Sequence, residues 1–159
     1  MSEDGAAAPT LRLGEFMPYL LAMAANAVGS RIAEQYHARF RLKPGEWRMM
    51  AVLGDRGALT QRELTQLTLM DKVAVNRACR ALAARGFVQR QPHADDRRSH
   101  RLVLTQEGRA VHDRILPLAK AMERELLAPF TAQECDQLKQ LLLRLRQSAG
   151  AFEPMRLEE

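Results

Sequence analysis

Apolar residues recur at helical spacing over most of this chain and alternate in only one short stretch. In residues 13–40, Phe16, Leu20, Met23, Ala27, Val28 and Ile32 fall on one stripe, which Leu21, Ala24 and Ala25 widen. Pro18 fits such a helix only near its start or at a kink. A second helix opens at 42–47 with Pro44 near its first position, and Trp47, Met50, Ala51 and Leu53 make its inward face. Residues 54–59 read as a short connection. Thr60-Gln61-Arg62-Glu63 then has the form of a capping box, with Leu59 and Leu64 at the staple positions. Leu64 and Leu67 are expected to pack inward.

The next helix carries two stripes. Asp71 is its N-cap, because a short carboxylate accepts from the free N–H groups of a first turn. Val75, Ala78, Cys79, Leu82 and Gly86 lie on one side, and Lys72, Val73, Asn76, Arg77 and Arg80 on another. Gly86 ends the helix as a residue free to take positive φ. Residues 87–91 and 101–105 are short alternating runs separated by the polar, turn-prone segment 92–100, which predicts a hairpin with adjacent arginines at its tip. A long helix starts at Thr105, with Glu107 in its first turn complementing the dipole and Pro117 kinking its middle. A second capping box, Thr131 to Glu134 with Phe130 and Cys135 as staple, leads into the apolar face Leu138, Leu141, Leu142 and Leu145. The expected fold is mainly α with a small β-hairpin wing: a winged helix-turn-helix domain plus a helical dimerisation region.

Charge sharpens this picture. Of the 24 Lys+Arg and 19 Asp+Glu in the chain, nine bases and four acids lie between residues 60 and 101. The whole net charge of +5 therefore belongs to that segment, and the remainder is balanced. A local excess of this kind is the footprint of a polyanion-binding surface. The outward stripe also has residue types that read DNA: Arg for guanine edges and phosphates, Asn for adenine, Val for a thymine methyl. Lys72, Arg80 and Arg97 supply mainly phosphate charge, while Asn76, Arg77 and Val73 supply base readout. Gln61 and Arg62 stand at an exposed helix start, where free N–H groups suit a phosphate. A narrow minor groove attracts an inserted guanidinium such as those of the hairpin tip.

With these stretches in view, the sequence resembles the MarR family of bacterial transcriptional regulators. The residues that carry the resemblance are Leu59 to Leu64, Met70 to Arg77, Leu82 to Val88, and Asp96 to Arg109 with its D-x-R and L-x-L-T signatures. The likeness runs from about Phe16 to Gln147. It implies a homodimeric winged-helix repressor on pseudo-palindromic operators, released by a small aromatic or phenolic effector. It implies that Arg98 enters the minor groove with Asp96 orienting it. By the same resemblance, a MarR-like domain spans about 13–150, between an N-terminal tail (1–12) and a C-terminal tail (151–159). Its winged-helix lobe covers about 43–105 and its dimerisation helices about 13–40 and 105–149. Leu20, Met23, Leu138, Leu141, Leu142 and Leu145 are the dimerisation candidates. The apolar surface of these helices exceeds what the DNA-binding lobe can cover, and a two-fold contact would match two DNA half-sites. Ser30, Arg31, His37 and Trp47 are candidates for the effector cleft. The family usually has Thr or Ser where Lys43 stands, and Ser or Thr where Val73, Ala74 and Asn76 stand, so operator sequences do not transfer.

Enzyme chemistry finds no support. There is no glycine-rich phosphate loop and no nucleophile elbow, and His37, His93, His100 and His112 include no i, i+4 pair for a metal. No catalytic residue, metal or cofactor is expected. The two cysteines lie far apart, which implies no disulfide framework and fits a reducing cytoplasm. Some family members sense peroxide through a cysteine at the start of the first helix, where this chain has none. Cys79 and Cys135 read as inert buried residues. No apolar run approaches membrane-spanning length. Two other functions fit the same basic surface: a non-specific architectural DNA-binding protein, and a helical dimer that binds an acidic protein.

Overall fold

The computed structural model describes residues 11–92 and 100–151. A short 3-10 turn at Leu13–Glu15 precedes helix α1 (Met17–Phe40). There follow α2 (Pro44–Arg56), strand β1 (Leu59–Thr60), α3 (Gln61–Thr68), α4 (Lys72–Ala84), β2 (Val88–Pro92), β3 (His100–Leu104), α5 (Gln106–Leu127) and α6 (Ala132–Gly150). The chain divides into two compact units, one ending at Ala119 and the other beginning at Lys120.

The first unit owns a closed core. Leu42, Met49, Met50, Leu53, Leu64, Leu82 and Ile115 are fully buried, with Val75, Ala78 and Cys79 from α4 beside them. The stripe read from the α4 sequence is therefore the stripe that faces in. Cys79 Sγ lies 3.7 Å from Met49 Sδ, a soft contact that joins α4 to α2. On α2 the inward face includes Met49, and Trp47 and Ala51 are half-buried. Leu67 does not pack inward as expected: it is 44 % exposed, and Thr68 takes the buried place one turn after Leu64. Thr68 tolerates this because its hydroxyl donates to the Leu64 carbonyl at 2.6 Å.

Local chemistry sets the element ends. Thr60 Oγ1 accepts from the Glu63 N–H, and the Glu63 carboxylate accepts from the Thr60 N–H at 2.7 Å. Asp71 accepts from the Ala74 N–H at 2.7 Å and opens α4. At the other end of α4, Gly86 adopts φ +72°, its N–H donates to the Ala83 carbonyl, and the Phe87 N–H donates to the Leu82 carbonyl. This is a Schellman closure, and its hydrophobic partners Leu82 and Phe87 are both buried. Helix α2 starts at Pro44, and the Glu46 carboxylate accepts from the Lys43 N–H at 3.0 Å, so the lysine at the cap position is compensated from the first turn.

The wing is part of a sheet of three strands in the order β1-β3-β2, all antiparallel. Leu102 pairs with both Leu59 and Arg90. Residues 54–59 are thus more than a connection, since Leu59 supplies an edge rung. The hairpin strands sit one residue off the expected 87–91 and 101–105, and Pro92 pairs with His100. Asp96, Arg97 and Arg98 lie outside the described residues, as does the rest of 93–99.

Thr105 locks the wing to α5. Its N–H and hydroxyl donate to the Phe87 and Gly86 carbonyls, and the hydroxyl also accepts from the Gly108 N–H at 3.0 Å. A Cβ at Gly108 would overlap the Phe87 carbonyl, so this helix start requires glycine. Arg85 fastens the far side, donating to the Phe40 and Arg41 carbonyls at 2.9 Å each while its guanidinium lies over the Phe87 ring.

The second unit is different in kind. α6 has the expected capping box, with Glu134 accepting from the Thr131 N–H at 2.7 Å, yet it buries no residue. Leu138, Leu141, Leu142, Leu143 and Leu145 are all exposed in the single chain. Cys135 is half-exposed, so the expectation of a buried cysteine holds for Cys79 but not for Cys135. α5 continues through Pro117 as one helix, although Pro117 lacks the N–H that would donate to the Asp113 carbonyl.

Candidate nucleic-acid interface

α4 presents the polar stripe outward. Lys72, Val73, Arg77 and Arg80 are exposed, while Asn76 is half-buried among them. Asp71 and its capping bond fix where the helix begins, and the buried stripe fixes its rotation, so the outward residues are held by a rigid element. Arg62 is exposed at the start of α3, and Gln61 beside it is half-buried. Among the described residues none of the ion pairs involves Arg62, Lys72, Arg77 or Arg80.

An open cleft of about 400 Å³ lies where α3 and α4 converge, lined by Gln61, Arg62, Thr65, Gln66, Lys72 and Val75. Two of its lining side chains, Arg62 and Lys72, are cationic. Thr65 and Gln66 were not among the sequence candidates. They lie about one turn beyond Gln61 and Arg62, and that spacing is the signal that would have found them. Beneath this surface Gln61 Nε2 donates to Asn76 Oδ1 at 2.5 Å. Burial pushes the Cys79 thiol above its ordinary range, opposed by a hydrogen bond from Gln61 and by the charge of Arg90. Cys79 is therefore held as a neutral thiol.

The effector candidates do not come together as one described site. Ser30 and Arg31 are exposed on α1, and Arg31 pairs with Glu34 at 3.4 Å. His37 is exposed as well. Trp47 is enclosed by two rings that sequence reading did not select: Tyr36, with centroids 4.9 Å apart, and His112, at 5.9 Å and nearly stacked. His112 is almost fully buried, hydrogen-bonds through Nδ1 to Asp113, and occupies the space a Cβ at Gly54 would need. Burial raises the Tyr36 phenol above its ordinary range, partly offset by a hydrogen bond with Trp47. Gly108, His112 and Ile115 form a buried stripe at helical spacing on α5, which was the available signal for His112.

In the second unit a cleft of about 640 Å³ is lined by Glu123 and Leu127 of α5 and by the apolar face of α6, including Leu138 and Leu142. Among the described residues no three His, Cys, Asp or Glu side chains form a metal-binding group, and no helix is long and apolar enough to cross a membrane.

Comparison with known proteins points the same way. A MarR family model matches residues 42–99, the span from the start of α2 through the wing. The regulator PecS of Dickeya dadantii is 27 % identical over 118 residues, covering 72 % of this chain and 71 % of PecS. A solved structure of a probable transcriptional regulator from Pseudomonas aeruginosa is 31 % identical with a TM-score of 0.70, covering 84 % of this chain and 99 % of that one. A MarR/EmrR family regulator from Acinetobacter is 25 % identical with a TM-score of 0.83, covering 89 % of this chain and all of the other. These relatives are transcriptional regulators and not enzymes. The outward cationic face of α4, set in a winged-helix lobe and matched along its length by such regulators, makes this chain a DNA-binding transcriptional regulator of the MarR family.

Proposed function

We propose that the protein is a homodimeric repressor that reads a pseudo-palindromic operator with two copies of α4 and is released by a small aromatic effector. The observation that carries this reading is the division of α4 into a buried stripe and an exposed stripe of Lys72, Val73, Arg77 and Arg80. A helix rotated in this way delivers its cations and base-reading side chains to a major groove. Arg77, Asn76 and Val73 read base edges. Lys72, Arg80, Gln61 and Arg62 hold phosphates. Arg97 and Arg98, with Asp96 orienting Arg98, serve the minor groove, a role that rests on the family resemblance.

Dimerisation is supported by apolar faces that a single chain leaves uncovered. Leu20 and Met23 on α1 are exposed, as are the α6 leucines. A monomer gains nothing by wetting so many large side chains, whereas a two-fold partner would bury them. At the level of fold, a MarR mutant from Escherichia coli solved with operator DNA is 22 % identical, with a TM-score of 0.74 over 86 % of this chain and 99 % of that one. Bordetella bronchiseptica BpsR, whose DNA binding is regulated by 6-hydroxynicotinic acid, is 22 % identical with a TM-score of 0.78 over 87 % of this chain and 98 % of BpsR. An effector of that general kind, planar and aromatic, suits Trp47 and its ring neighbours. It releases DNA only by its differential affinity for the two dimer spacings.

The test is binding to the DNA flanking the protein's own gene against random DNA of equal length, across a salt series. Roughly a thousandfold preference, the size typical of specific regulators, supports the repressor reading. Equal, weak binding to both would favour an architectural binder, and absence of binding would assign the basic face to an acidic protein.

A further inference from the structure

The 24 residues of α1, all among the described residues, make about 36 Å of helix and bury Tyr36 alone. The burial of α1 is therefore concentrated in its last turns, where Tyr36 meets Trp47 of α2. Further back the helix turns apolar side chains to solvent in the single chain, Leu20 and Met23 among them. Its end is closed by a residue from another helix. Arg41 takes φ +53° and its N–H donates to the His37 carbonyl, so the Phe40 and Arg41 carbonyls are the orphan acceptors of a helix C-terminus. Arg85 Nη2 donates to the first and Nη1 to the second, at 2.9 Å each.

Arg85 is also the residue on which α4 ends. Its backbone N–H donates to the Ala81 carbonyl, and Gly86 and Phe87 complete the turn behind it. Its guanidinium lies 4.5 Å from the centre of the Phe87 ring, and the Phe87 carbonyl accepts from the Thr105 N–H where the wing meets α5. One side chain thus joins the end of α1 to the end of α4 and to the root of the wing. Both arms of the guanidinium are used and its face is stacked, a geometry that the single ammonium of lysine does not reproduce. Arg85 is half-buried, so removing its side chain opens no hole in the closed core.

Resting on the proposed dimer, in which α1 belongs to the contact between the two copies, we infer that Arg85 is a positioning residue that sets which half-site spacing the dimer accepts. A lobe carried by α5 alone is free to turn about that helix. A second support, fixed at two carbonyls of the α1 end, holds the angle at which α4 is presented. The two copies of α4 then stand at one separation and one rotation. One base pair added between the half-sites shifts one of them by about 3.4 Å and turns it by about 35°, which breaks the match. Without the clamp each lobe settles on its own half-site, and the dimer tolerates several spacings.

Selection from a randomised duplex library by the full-length wild type first supplies the half-sites. Wild type, Arg85→Lys and Arg85→Ala are then titrated with three kinds of duplex: two half-sites at the selected spacing, the same half-sites one or two base pairs closer or further apart, and one half-site alone. Wild type is expected to lose about tenfold or more in affinity for one base pair of change, whereas both variants lose less than about threefold. Both variants are expected to bind the single half-site as wild type does, and light scattering to show them dimeric. Comparing spacings within each variant cancels the charge that Arg85→Ala removes. A merely structural role would lower affinity for all duplexes alike and leave the spacing profile steep.

If the variants keep the wild-type spacing profile, lose affinity equally for every duplex, or fail to fold by circular dichroism, Arg85 supports the lobe itself and not its angle, and the inference is overturned. If wild-type dimers bind every spacing alike, there is no spacing to set, and the inference falls while the dimer stands. If wild type is a monomer or enriches no paired half-sites, the dimeric reading itself fails and takes the inference with it.

Discussion

The winged lobe and the C-terminal helical unit are built from similarly patterned sequence and end in opposite states. In α4 the apolar stripe Val75, Ala78, Cys79 and Leu82 is buried against α2 and α3. In α6 the stripe Leu138, Leu141, Leu142 and Leu145 is at least as apolar, yet every member is exposed in the single chain. Both helices are well capped, by Asp71 and by Thr131 with Glu134. Caps and periodicity make a helix; they do not decide whether its partner comes from the same chain. The first unit therefore has a core of its own, whereas in the proposed dimer the second would draw much of its stability from assembly.

A charge placed in each stripe tests this contrast most severely. Leu64→Asp buries an unpaired carboxylate at a fully buried position and is expected to abolish folding, a loss of more than about 4 kcal/mol. The check is loss of cooperative thermal unfolding by circular dichroism. Leu142→Asp, on the exposed face, is expected to leave the winged lobe folded and the protein monomeric, with specific DNA affinity falling by about a hundredfold or more as the two half-sites uncouple. Light scattering and operator titration decide it. A stable native dimer would mean that α6 faces water by design, and the contrast between the units would collapse.

The tightness of the winged lobe predicts a smaller effect at the junction of wing and α5. Gly108→Ala forces a methyl against the Phe87 carbonyl and should cost about 1–3 kcal/mol in urea denaturation. The weakest effect belongs to the second unit. The Thr131 backbone N–H, and secondly its side chain, hold the Glu134 carboxyl below its ordinary range. Its capping contribution is present above that ordinary range and is lost as pH falls through the depressed value. Helicity of wild type should therefore decline towards that of Glu134→Gln in acid, and a pH-independent difference would contradict the capping role.

Much of this architecture was legible in the sequence because the signals are local. The caps at Thr60, Asp71 and Thr131, the Gly86 terminator and the two faces of α4 depend on residues within a turn or two of each other. β1 was not legible, because Leu59 and Thr60 become a strand only by pairing with Leu102 and Arg101. Leu67 was misread because eight residues of α3 satisfy helical periodicity with more than one stripe. Contact with the neighbouring helices selects Leu64 and Thr68. Trp47 was singled out as an aromatic, but its partners Tyr36 and His112 come from α1 and α5, beyond the reach of any local pattern. The same holds at the DNA face. The sequence places Asn76 on the polar stripe of α4, but its bond to Gln61 bridges two helices.

By itself the sequence determined that this chain forms amphipathic helices and a basic hairpin, and that positive charge gathers on residues 60–101. Those are properties of composition and of contacts short in sequence, which need no third dimension. The tertiary structure decided which apolar stripe each neighbour accepts, that Gly108 must be glycine, and that the side chains of Gln61 and Asn76 meet between α3 and α4. Each of these depends on atoms brought together from distant parts of the chain, and such contacts are specified jointly by two segments and by neither one alone.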